Sequence, residues 1–298
     1  MARIDAVCIL CTARDFWLAR IAAASVRYWS PEIPIRFICD PVYGVVGSIE
    51  AERVLGATAL DTLSQPCGWG FARLELLVRF PGQRLLILDA DTVLCGDLVS
   101  ALSNSDADFV ISPDAVEASH IEEMQRYAYD FESLRRLDPE FERPRWLFTS
   151  GHLVATSGLL DRAAFERWVQ WTSPMRLTHP ECFFCGDQGV LNYVLAHAER
   201  CGRVSVECQH FAILASSTEL SRIRLEAIRQ RRSEPFVVHY NGRKPMVLFR
   251  FPRPELLAFF ETCYYAKVPF GGWKRCWRFA ISVARALLVT VRRAAPFA

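Results

Sequence analysis

No stretch of this chain is apolar for long enough to cross a bilayer or to form the core of a secretory signal. The N-terminal run Val7-Cys8-Ile9-Leu10-Cys11 is far shorter than the roughly 7–15 residues of a signal core or the about 20 of a span, so it reads as a first strand. Glycine is missing from the turn that follows it, Cys11-Thr12-Ala13-Arg14-Asp15, which excludes a glycine-rich phosphate loop at that place. No internal repeat or low-complexity segment is present. Disorder is excluded over most of the chain, because 51% hydrophobic content in 298 residues buries a large core, as one large domain or one domain with an added tail. Acidic residues are missing from 270–298, where six basic ones stand: Lys274, Arg275, Arg278, Arg285, Arg292 and Arg293. Removing those six from the 35 basic residues leaves 29 against 33 acidic, so the body is near −4 and the net +2 belongs to the tail. A nucleic-acid-binding body is thereby excluded.

Cysteine is plentiful, but its pattern is not that of a disulfide framework. The 11 cysteines are odd in number, the chain is long, and no signal precedes them, so a reduced cytosolic setting is expected. Two Cys-x-x-Cys pairs, Cys8/Cys11 and Cys182/Cys185, raise the question of zinc. Residues three apart in a strand face opposite sides, so Cys8 and Cys11 do not share one metal, and buried reduced thiols are expected instead.

Short apolar runs alternate with helical patterns in the first half, which is the pattern of βαβ units and a mostly parallel sheet flanked by helices. Strands are expected at 6–11, 35–39 and 85–88, with helices at 15–29 and 71–80, the latter stopped by Pro81-Gly82. Their polar ends, at 12–15, Asp40 and Asp89-Ala90-Asp91, converge on one sheet edge. Further on, the spacing predicts strands at 109–111 and 147–156, helices at 121–137, 161–171 and 190–197, and a strand at 236–238 that ends in His239.

Asp89-Ala90-Asp91 closes the apolar run Leu85-Leu86-Ile87-Leu88. In a continued strand both carboxylates would point to the same side, about 6 to 7 Å apart, and two like charges there need a cation. Magnesium and manganese are commonly held by one or two carboxylates, with substrate phosphates completing the shell. The letters alone carry little weight, because 14 Asp in 298 residues supply about one Asp-x-Asp by chance. Asp106-Ala107-Asp108 repeats them, but it precedes the apolar 109–111 and so marks a strand's entry. Ligands of open α/β sheets gather at the carboxyl ends of strands, so the first copy is placed for a site and the second is not. His239, after an apolar strand and before Gly242 and Lys244, completes an Asp/Asp/His set suited to manganese, although a lone His is often structural.

Three motifs in order, Leu-Asp-Ala-Asp-Thr at 88–92, Gly-Asp-Gln-Gly-Val-Leu-Asn at 186–192 and Val-Val-His-Tyr-Asn-Gly-Arg-Lys-Pro at 237–245, resemble those of the family 8 nucleotide-sugar glycosyltransferases. Glycogenin and the bacterial lipopolysaccharide galactosyl- and glucosyltransferases belong there, and the resemblance spans roughly residues 5 to 250. It implies a GT-A fold, a metal-dependent transfer of a sugar from a UDP-sugar to an acceptor hydroxyl with retention, and a role in surface-glycan or lipopolysaccharide synthesis. It further implies that Asp89, Asp91 and His239 hold Mn2+ or Mg2+, with Leu10, Thr12, Phe16, Arg73, Ala90, Gly242 and Lys244 around the nucleotide and its diphosphate. Asp187 and Gln188 are implied beside the transferred sugar. From the residues alone, Asp187 could otherwise be just an N-terminal helix cap, and Arg73 fits an exposed helix face as well as a place near the phosphates. Thr149-Ser150-Gly151 stands where the family commonly has Asn-Ala-Gly or Asn-Ser-Gly, and Met246 where it usually has Trp, which leaves the donor sugar open. A sugar-1-phosphate nucleotidyltransferase is the nearest alternative, but it calls for the glycine-rich loop that 11–15 lacks. A catalytically silent, membrane-tethered nucleotide-sugar binder is the other.

The residues divide as a catalytic domain, 1–266, and a basic amphipathic helical tail, 267–298. Arg275, Arg278, Arg285 and Arg292 share one helical face, with Trp273, Trp277, Ile281, Ala284, Leu287, Leu288 and Val291 mainly opposite. Such a helix fits an anionic membrane interface through 273–293, on the inner, cytoplasmic face, with a glycan or glycolipid acceptor; it is too charged to span. Packing onto the body is the competing expectation.

Overall fold

The computed structural model describes residues 3–68, 70–184, 186–242 and 244–294, with side chains throughout these except at 115, 118 and 287–294. Twelve strands are present among them: β1 Ala6–Thr12, β2 Ile35–Asp40, β3 Ala57–Asp61, β4 Arg84–Asp89, β5 Thr92–Leu94, β6 Phe109–Ala115, β7 Leu147–Thr156, β8 Val169–Gln170, β9 Arg176–Leu177, β10 Val206–Cys208, β11 Ala212–Leu214 and β12 Val237–His239. Seven form the central sheet in the order β10-β6-β7-β4-β1-β2-β3. All neighbours in it are parallel except β7, which runs antiparallel to β4 and β6.

Period-two alternation divides the apolar residues between two cores. Val7, Ile9, Cys11, Leu86 and Leu88 pack on one face of the sheet, and Ala6, Cys8, Leu10, Leu85 and Ile87 on the other. Each apolar run is therefore continuous, because both faces are covered. Cys8 and Cys11 fall in different cores, and the ten described cysteines are free; Cys185 lies outside the described residues. Burial pushes the Cys8 thiol up to about 12, which keeps it an apolar filler.

Two expected helices are broken. The 121–137 segment is a helix at Ala118–Met124, a tight turn at Gln125–Tyr127 and a second helix at Phe131–Leu137. The interruption places Tyr129 in an extended bridge with Phe183, where its ring is fully buried among Phe131, Phe141, Phe183 and Tyr193. Asp130 then restarts the helix by accepting from the Ser133 amide at 2.7 Å. The 161–171 segment is helical only at Ala163–Glu166, although Asp161 does accept from the Ala164 amide; Val169 and Gln170 pair instead with β9 across the Thr172-Ser173-Pro174 turn.

A second, three-stranded sheet, β11-β12-β5, positions the site. β4 ends at Asp89, the chain turns through Ala90-Asp91, and β5 carries it onward antiparallel to β12, so His239 pairs with Thr92. The Tyr240 amide then donates to the Asp91 carbonyl at 2.9 Å. β12 arrives almost 150 residues after β5, and this ladder holds the two segments in register.

Candidate active site

The polar ends of β1, β2 and β4 lie on one edge of the parallel sheet and open into a cleft of about 1700 Å3. Leu10 and Ala90 form apolar parts of its wall. Thr12 turns the chain at the end of β1: its amide and hydroxyl both donate to Asp15 Oδ1, at 2.7 and 2.9 Å. Phe16 is buried and packs edge-on against Phe37, with centroids 5.2 Å apart, so it supports the wall from behind. Asp40, at the end of β2, accepts from the amides of Val42, Cys67 and Gly68 at 3.1, 3.2 and 2.8 Å, which ties the 62–68 loop to the sheet edge.

Asp89, Asp91 and His239 converge at the floor, with ligand atoms all within 4.8 Å of one another. His239 Nε2 lies 3.8 Å from Asp89 Oδ2 and 3.5 Å from Asp91 Oδ1. Strand periodicity is not what joins the two carboxylates. The strand stops at Asp89, and the turn at Ala90-Asp91 folds Asp91 inward, leaving it buried while Asp89 stays partly open to the cleft. Lys244 Nζ forms an ion pair with Asp91 Oδ2. Burial opposes charge on Asp91, but His239 and Lys244 beside it outweigh that and hold its carboxyl below the usual range. Burial likewise opposes charge on His239, and Asp91 outweighs it, raising the imidazole.

These residues fit a divalent cation. Two carboxylates and an imidazole are a donor set that manganese and magnesium accept, and the buried His239 Nδ1 has no hydrogen-bond partner among the described residues. Gly151 makes room for the set, since a Cβ there would lie 2.7 Å from Asp89 Oδ2 and closer still to His239 Cε1. Gly242, at φ +84°, has open space around it and supplies the turn that brings Lys244 back to Asp91.

Arg73 is the hinge of the site and is not on an exposed face. It is 2% exposed, its guanidinium is paired with both Asp89 and Asp187, and Nη1 donates to Ser150 Oγ at 2.9 Å. Asp187 begins the helix Asp187–Arg200, but its carboxylate faces Arg73 instead of capping its own helix. Burial raises the Asp187 carboxyl to about 6 in spite of Arg73. Gly70, at φ +80°, leaves the space that Asp187 Oδ1 fills. Gln188 is fixed at both ends, accepting from the Ser150 amide at 3.3 Å and donating to the Tyr127 carbonyl at 2.8 Å.

No protein-family model matches the chain, and no curated protein matches it in sequence. Solved structures do match. One is the galactosyltransferase LgtC, crystallised with donor and acceptor sugar analogues: TM-score 0.57, 17% identity, 87% of this chain and 95% of LgtC covered. Another is the bifunctional glycosyltransferase WbbM, at TM-score 0.58 and 13% identity over 92% of this chain and 52% of WbbM. A third is the glycosyltransferase GlyE of Streptococcus pneumoniae TIGR4, at TM-score 0.53 and 15% identity over 86% of this chain and 60% of GlyE. The fold is that of the GT-A glycosyltransferases. The chain spans nearly the whole of LgtC and about half of WbbM.

Within this GT-A fold the second Asp-Ala-Asp is structural. Asp108 Oδ2 accepts from the amide and hydroxyl of Ser205, both at 2.8 Å, at the start of β6 and remote from the cleft. Residues given no site role of their own from the sequence also build the site. Asp15 and Asp40 shape its loops, Ser150 joins Arg73 to Gln188, and His152 lies fully buried edge-on to His239, centroids 5.5 Å apart. Burial holds His152 neutral, well below the usual histidine range. Nothing local marks it, because a His inside an apolar strand looks the same whether or not a second His lies beyond it.

The tail helix, Gly271–Ala294, packs its first turns on the body. Lys274 pairs with Glu50, while Arg275 and Arg278 pair with the buried Glu261. The outward side carries Trp273 and Trp277, exposed and stacked 5.9 Å apart, with Phe270 and Phe279 close in sequence. Leu287, Leu288, Val291 and Arg292 lie beyond the described side chains. Among the described residues, no helix is long and apolar enough to cross a membrane.

Proposed function

We propose that this chain is a metal-dependent glycosyltransferase that moves a sugar from a UDP-sugar to an acceptor hydroxyl. The observation that carries the reading is the Asp89/Asp91/His239 set, with Lys244 on Asp91, at the floor of a large cleft at the carboxyl ends of the strands of a GT-A fold. Bound by Asp89, Asp91 and His239, Mn2+ or Mg2+ would supply positive charge to the diphosphate leaving group. Lys244 adds a compact cation for a phosphate oxygen, and Gly242 lets the backbone approach. Arg73 joins the cation set to the sugar-handling pair and orients the carboxylate of Asp187. Asp187 and Gln188 hold sugar hydroxyls and stabilise positive charge at the anomeric carbon, with no strong nucleophile required. Leu10, Thr12, Phe16 and Ala90 shape the nucleoside end.

LgtC's complex with donor and acceptor sugar analogues supports a sugar acceptor in the same cleft. The resemblance in motifs to the lipopolysaccharide transferases supports retention and a surface-glycan product. In this reading residues 1–266 carry the transfer, and the tail, 267–298, rests on an anionic membrane on its cytoplasmic side, in its first turns through the exposed Trp273 and Trp277.

Thermal-shift screening of UDP-sugars with Mn2+, followed by donor hydrolysis, tests the function. A metal-dependent rise in Tm with at least one UDP-sugar, and slow release of UDP from it, are expected. No shift and no hydrolysis with any UDP-sugar would overturn the reading.

A further inference from the structure

His152 stands beside the metal set and takes no part in the chemistry proposed above. In β7 it pairs with Leu88 of β4, and Val154 follows two residues later on the same face of the sheet, where both apolar side chains join one core. Strand alternation therefore turns position 152 toward an apolar layer, which a leucine or valine would suit. A histidine fills it instead, fully buried. Neither of its ring nitrogens, Nδ1 nor Nε2, has a hydrogen-bond partner among the described residues. Two unpaired polar atoms inside the protein lower its stability, so packing does not account for the residue.

The facing ring has the complementary need. His239 turns Nε2 to Asp89 Oδ2 and Asp91 Oδ1, at 3.8 and 3.5 Å. Its Nδ1 faces β7, where a Cβ on Gly151 would lie 3.0 Å from it, and this buried atom too is unpaired among the described residues. The two imidazoles meet edge-on, with centroids 5.5 Å apart and planes at 83°. The other ring against His152 is Phe211, which has no polar atom to offer. A histidine that binds a metal through Nε2 carries its proton on Nδ1, and in metal sites that N–H almost always meets an acceptor that fixes the ring. Burial keeps His152 neutral, so one of its nitrogens is such an acceptor. The χ2 torsion of a histidine is broad, and through it the ring turns a nitrogen toward its neighbour without moving the backbone.

From these three unpaired nitrogens on two touching rings we infer that His152 is a positioning residue of the metal site: it accepts the Nδ1–H of His239 and holds that ring with Nε2 aimed at the cation. The inference rests on the metal-dependent reading of the cleft and adds a residue behind its ligands. His152 itself touches neither metal nor substrate in this role.

The test measures the Kd of Mn2+ by electron paramagnetic resonance of the free ion, on the full chain, beside the Tm recorded without metal. His152→Leu removes the acceptor and suits the apolar layer, while His152→Asn and His152→Gln place an amide oxygen near the positions of Nδ1 and Nε2. Leucine should weaken Mn2+ binding about tenfold or more, with no fall in the Tm recorded without metal. At least one of the two amides should restore the affinity to within about threefold of wild type, which a residue that only packs would not allow. Should leucine not be accommodated, His152→Val serves the same comparison. A leucine or valine variant that binds Mn2+ within threefold of wild type overturns the inference, and so does a loss that neither amide restores. A wild type that binds no Mn2+ sinks the metal-dependent reading itself, whereas equal binding by wild type and variant sinks only the role of His152.

Discussion

Gly151→Ala isolates the metal set without removing any of its ligands. An alanine Cβ would lie 2.7 Å from Asp89 Oδ2 and closer still to His239 Cε1, where ordinary carbon contacts begin near about 3.5 Å. One or both side chains must then shift by about 1 Å, several times the ~0.2 Å tolerance of a metal–ligand bond. His239 is buried beside His152, so it has little room to yield. A loss of Mn2+ affinity of about thirtyfold is expected, within the range produced by disturbing the surroundings of ligands. At a Mn2+ concentration 100 times the wild-type Kd, binding stabilises the fold by about 2.7 kcal/mol; weakened thirtyfold, the gain drops to about 0.9 kcal/mol. The difference lowers the Mn2+-induced rise in Tm by about 3 °C for a chain of this size. Electron paramagnetic resonance of free Mn2+ gives Kd directly and does not depend on activity. Gly272→Ala is the control, since a Cβ there meets nothing within 4 Å. If Gly151→Ala binds Mn2+ within threefold of wild type, these side chains do not form the site.

Three further outcomes are expected. Asp91→Asn abolishes the Mn2+-dependent shift and Asp106→Asn leaves it intact; equal loss in both would contradict the assignment. Asp187, raised by burial to about 6, takes up a proton on folding between its unfolded value of 3.8 and 6, so it erodes stability as pH rises through that window. In denaturant titrations of metal-free protein, Asp187→Asn should make the slope of stability against pH more positive there, by up to about 1.4 kcal/mol per pH unit; an unchanged slope refutes the assigned burial. Replacing both Trp273 and Trp277 by Ser should release the protein from anionic vesicles in a sedimentation assay without lowering its Tm, since both rings are exposed. Full co-sedimentation of that variant would remove the aromatic face from any membrane contact.

What was legible in the sequence follows the range of the forces involved. The apolar runs of β1, β2 and β4 are continuous because both sheet faces are covered, so strands and their polar ends could be read directly. That let Asp89-Ala90-Asp91 be told from Asp106-Ala107-Asp108. β3 was not visible, because its residues Ala57–Asp61 are partly exposed at the sheet edge and form no apolar run. β5 and β11 are three residues each, below any period. Arg73 shows a deeper limit. Its helical position is compatible with an exposed face, and only its partners, 16 and 114 residues away, draw it inside. The tail obeys the same rule with a different result. Periodicity states which residues share a face but not what that face meets, and Glu50 and Glu261, from two separate helices, claim the basic side of its first turns. Those charges are satisfied by protein before any lipid is present. In the proposed membrane contact, that part of the helix would therefore be held by the exposed Trp273 and Trp277 and not by the arginines from which the sequence pattern suggested it, while Arg285 lines the cleft.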